Sequence, residues 1–129
     1  MSSDQITLTL PRERPFFGVA HLVVGGLAAR LDLSYDELED LQVALAELLR
    51  RRENEGEVTL VVRVSDHELE AAMGPFDPSL VEELRRDAGA EFGLRRVLET
   101  VVDEVAVTER EGHPWIALRK TIARSGVAS

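Results

Sequence analysis

Apolar and polar positions change their period several times along the chain, and each change marks an element. Ile6-Thr7-Leu8-Thr9-Leu10 alternates strictly, which is the period of a strand with one buried face. Pro11 and Pro15 then punctuate a charged turn. From there the apolar residues fall at Phe16, Ala20, Val23, Leu27 and Leu31, a helical spacing. Gly25-Gly26 lies inside that helix and costs about 1 kcal/mol per glycine relative to alanine. The pair implies close approach of another backbone, a kink, or simple tolerance. Ser34 with Glu37 three residues later forms a capping box that starts the next helix. Its stripe is Leu38, Leu41, Leu45, Leu48 and Leu49, and it runs to about Arg52 before Asn54-Glu55-Gly56 ends it.

The second half returns to period two. Val58, Leu60, Val62 and Val64 alternate; a Ser65-Asp66 turn then leads into a second strand, His67 to Met73, and the two read as a hairpin. Asp77 before Pro78 is an N-cap followed by proline at the first helical position, and that helix runs to about Arg86. Gly89 and Gly93 bracket a short loop, after which Leu94, Val97, Leu98 and Val101 mark another helix. Glu104–Thr108 and Trp115–Ile122 alternate around Glu111-Gly112-His113-Pro114 as a closing hairpin. Strands joined as hairpins with helices between them predict a two-layer α/β (α+β) sandwich, an antiparallel or mixed sheet covered on one face. The 129 residues fit one domain, 1–129, with its core over about 6–122.

Composition narrows the function. The apolar share of 44% and charged share of 30% are those of a soluble globular protein. The longest apolar run, Val19 to Ala29, is broken by His21, Gly25 and Gly26 and falls short of the roughly 20 residues of a membrane span. The N-terminus lacks the basic start and apolar stretch of a secretory signal, so a cytoplasmic location is expected. With no cysteine there is no disulfide, thiol catalysis or thiolate metal site. A net charge of −9 argues against nucleic acid, because the basic groups Arg50-Arg51-Arg52, Arg85-Arg86 and Arg95-Arg96 all have acids close by. An acidic surface suits a basic protein partner, and it equally favours solubility.

The order of elements and several stretches within it resemble the anti-sigma-factor serine kinases of the GHKL (histidine kinase-like) ATPase superfamily, from about Ile6 to Ile122. The segment Leu33–Glu47 resembles the family's second helix with its terminal glutamate in place, Gly56–Leu60 its strand opening, and Gly93-Leu94 through Val105 its glycine-led helix and following strand. The resemblance implies a homodimer, a sigma factor or an anti-sigma-factor antagonist as partner, and a site for ATP and magnesium. It implies Glu47 as the general base and, four residues later, an asparagine ligating Mg²⁺. That position holds Arg51, and arginine has no lone pair to offer a cation. Glu47 and Arg51 share one helix face opposite the leucine stripe, and as an i,i+4 ion pair they are worth about 0.2–0.5 kcal/mol.

Two further motifs of the family are altered. Its Asp-x-Gly, whose aspartate reads the adenine amino group, aligns with Ala72-Met73-Gly74; alanine has no acceptor, so that discrimination is lost. Its phosphate-accepting lid and helix N-terminus align with Asp87–Leu94. Gly93 and Leu94 can still begin a helix there, but Glu91 sets a negative charge beside the phosphate position. No bound cofactor or metal is therefore expected, and ATP and magnesium enter only if the ancestral site still works.

His21, His67 and His113 are scattered and show no metal spacing. Ser34 and Ser79 have helix-start roles, and Glu68 and Glu70 read as a solvated strand face. Trp115 and Phe76 read as core, with an exposed interaction patch as the alternative. The leading expectation is a regulatory protein that binds another protein in the partner-switching style without ATP hydrolysis, with contacts on the first strand and helix that include Arg12, Arg14 and Phe17. The rivals are an active ATP-dependent serine kinase, with Glu47 as base and Arg51 in place of the metal charge, and a domain binding another small molecule in the remodelled cavity.

Overall fold

The alternation of the strands is realised as a five-stranded antiparallel sheet in the computed structural model, which describes residues 4–11, 13–30, 33–50, 56–65, 67–86 and 93–122. The elements run β1 (Asp4–Pro11), α1 (Phe17–Arg30), α2 (Tyr35–Arg50), β2 (Glu57–Val64), β3 (Glu68–Gly74), α3 (Pro78–Arg86), α4 (Leu94–Val101), β4 (Glu104–Arg110) and β5 (His113–Thr121). The sheet order is β1-β2-β3-β5-β4, with every neighbouring pair antiparallel. The sheet expected as mixed or antiparallel is thus antiparallel, and the two expected hairpins pair as predicted.

One face of the sheet is apolar and buried. Val58, Leu60, Val62 and Val64 of β2, Leu69, Ala71 and Met73 of β3 and Ile116, Leu118 and Ile122 at β5 all belong to one hydrophobic cluster. The helices close over it with Leu41, Ala44, Leu45, Leu48 and Leu49 of α2, Leu80 and Leu84 of α3, and Leu94 and Leu98 of α4. This is the two-layer α+β architecture the pattern predicts. Among the described residues, the other face of the sheet carries polar and small residues together with Trp115, and no helix.

The α2 start is the expected capping box. The Ser34 N–H donates to Glu37 Oε1, and the Glu37 N–H donates to Ser34 Oγ, each at 3.0 Å. At α1 the expected stripe is displaced. Phe16 lies in a 3-10 turn over Arg14–Phe16 and is 38% exposed; Phe17 packs on the core instead. The buried line of α1 is Ala20, Val24 and Ala28, flanked by Val23 and Leu27. A helix this apolar offers two overlapping stripes, and packing on α2 and the sheet selects the second. Leu31 lies outside the described residues. A Cβ at Gly25 or Gly26 would meet nothing within 4 Å, so of the three readings of that pair, close approach within the chain is not the reason.

Phe76 is core. Trp115 is only 9% exposed but sits on the helix-free face of the sheet, against Gly74, where an added Cβ would come within 2.5 Å of its Cγ and Cδ2. The Arg110 guanidinium lies 4.2 Å above the ring, within cation–π range.

Candidate functional site

Helix α2 carries Glu47 near its C-terminal end, between the buried Ala44 and Leu48 turns that pin it to the sheet. The Glu47 side chain is 21% exposed, and its carboxylate accepts from the Arg50 guanidinium one turn on. Glu47, the expected base, is thus engaged by the i,i+3 Arg50, which in the sequence is one of the basic run Arg50-Arg51-Arg52. Arg51, expected at the metal position, lies outside the described residues.

Helix α4 begins where the sequence placed it. Gly93 is its N-cap in extended conformation (φ −75°, ψ 164°), with no side chain capping it, and Gly93 O accepts from the Val97 N–H at 3.0 Å. Leu94 is 1% exposed, so its side chain serves the core. Glu91 lies outside the described residues.

The sheet separates the remaining positions. Ala72 is in register with Val61 of β2 and Ala117 of β5, and with them it lines a shallow trough on the helix-free face. Glu47, Gly93 and Leu94 belong to the helix layer. The structure therefore gathers Glu47 and the start of α4, expected as base and phosphate positions, on one side of the sheet, and it points Ala72, expected at the adenine position, to the other. Gly74 shares that outer face, and its lack of a side chain is required by Trp115.

One residue outside the sequence-derived set holds the frame of this region. Lys120 on β5 sits on the helix side of the sheet with its side chain 15% exposed. Its Nζ donates to Asp40 Oδ2 on α2 at 3.1 Å and to Val101 O at the end of α4 at 3.1 Å. One ammonium thereby joins the two helices that carry Glu47 and Gly93. The signal was present in the chain: Lys120 occupies the same alternation as Ile116, Leu118 and Ile122, an inward position that a lysine takes when it has partners.

The cleft between α1 and α2, about 440 Å³, is lined by Phe17, Ala20, His21, Gln42, Leu45 and Leu49 among others, and Gln42 Nε2 donates to His21 O across it at 3.0 Å. Phe17, expected as a partner contact, is half-buried here, and the exposed apolar side chains of α1 are Val19 and Leu22. Arg12 and the side chain of Arg14 lie outside the described residues. Among the described residues no group of three His, Asp or Glu is placed to hold a metal ion, and no helix is long and apolar enough to cross a membrane.

Comparison with known proteins gives one consistent set of relatives. The chain is 32% identical over 132 residues to the serine-protein kinase RsbW of Listeria monocytogenes, covering 84% of this chain and 82% of that protein. It is 29% identical to RsbW of Bacillus velezensis and 27% identical to that of Bacillus subtilis, each over 86% of this chain and 82% of the relative. No family model matches. Among solved structures, the RsbU and RsbW domains of a Mycobacterium tuberculosis protein superpose with a TM-score of 0.68 over 96% of this chain and 35% of that one, at 12% identity, a likeness of fold.

Proposed function

The chain belongs to the RsbW family of serine-protein kinases, and on that premise we propose that it is a regulator acting by protein–protein binding, in the partner-switching manner of anti-sigma factors, without hydrolysing ATP. Its partner in this reading is a sigma factor or an anti-sigma-factor antagonist, and it works as a homodimer in the cytoplasm. The observation that carries the proposal is the pair of residues at the heart of the family site. Glu47 is engaged by Arg50, and the position four residues after it holds Arg51, which brings a positive charge where a metal ligand is needed. Ala72, facing away from the helix layer, supports the same reading.

A second reading, an active kinase, has its own support. Glu47 is retained at the family position, and α4 still starts at a glycine with no side-chain cap, the backbone arrangement that receives phosphates. If the pocket binds nucleotide, Glu47 is the group that would deprotonate the substrate hydroxyl, and Mg²⁺ would supply charge neutralisation of the phosphates; the described residues include no carboxylate cluster to hold it.

Isothermal titration with ATP and Mg²⁺ separates the two. The regulator gives no binding heat. Micromolar binding abolished by Glu47→Ala would establish the kinase instead. Affinity recovery from the native host is the complementary measurement, and retrieval of neither kind of partner would count against partner switching.

A further inference from the structure

We draw no further inference here: the strongest candidate, the groove between α1 and α2 with the exposed Val19 and Leu22 on its α1 side and Tyr35 and Val43 on its α2 side, carries nothing, because nothing in the structure shows what covers it.

Discussion

At the scale of single residues, Gly74 shows how a position can match a nucleotide motif and be held for another reason. Its missing side chain is needed because Trp115 lies on it, with Cγ and Cδ2 2.5 Å from where a Cβ would be. Gly74→Ala is therefore expected to destabilise the fold by about 1–3 kcal/mol through overpacking, read as a lower urea midpoint, even with no nucleotide involved. An unchanged midpoint would mean that the indole moves aside freely. Lys120 is the second such residue. Lys120→Met removes the donor shared by Asp40 and Val101 O while keeping the apolar stem. A loss of about 1–3 kcal/mol is expected, with faster amide exchange at the C-terminal end of α4, where the Val101 carbonyl loses its partner.

At the scale of elements, α1 and α2 behave differently because their apolar residues are distributed differently. The α2 stripe is narrow and capped, so its register and start follow from the chain alone. Ser34→Ala deletes the hydroxyl that accepts from Glu37 N–H and is expected to cost about 1 kcal/mol, measured by thermal unfolding. In α1 nearly every residue is apolar or small, and the buried line Ala20, Val24, Ala28 could not be told from the neighbouring one by periodicity. The glycines there are open to improvement. Since nothing lies within 4 Å of either added Cβ, Gly25→Ala with Gly26→Ala is expected to stabilise the chain by about 1–2 kcal/mol through helix propensity. A decrease in the unfolding temperature would show that these glycines serve a contact outside this chain.

For the whole molecule, the expected absence of nucleotide binding has a simple reading. A ligand at 1,000 times its Kd raises stability by about 4 kcal/mol, so millimolar Mg-ATP over a micromolar site would shift the thermal midpoint clearly, and no shift is expected here. What one strand of letters already contained was the list of elements, their order, the hairpin pairing and the buried face of each strand, because period and capping are local properties written into neighbouring residues. The place of Glu47 late on α2 and of Gly93 at a helix start was legible for the same reason. Local pattern had no means of showing that the Arg50 guanidinium engages Glu47, because an i,i+3 spacing permits such a pair without requiring it. Nor could it place Ala72, Ala117 and Ala106 side by side, since they lie on three strands brought into register only by the folded sheet. The row Arg63, Glu70, Arg119, Glu104, which alternates in charge across β2, β3, β5 and β4, is likewise invisible along the chain, where more than thirty residues separate Glu70 from Glu104. Its charges become neighbours because strands pack about 4.8 Å apart, and that spacing, set by backbone hydrogen bonds across the sheet, turns four scattered residues into a surface.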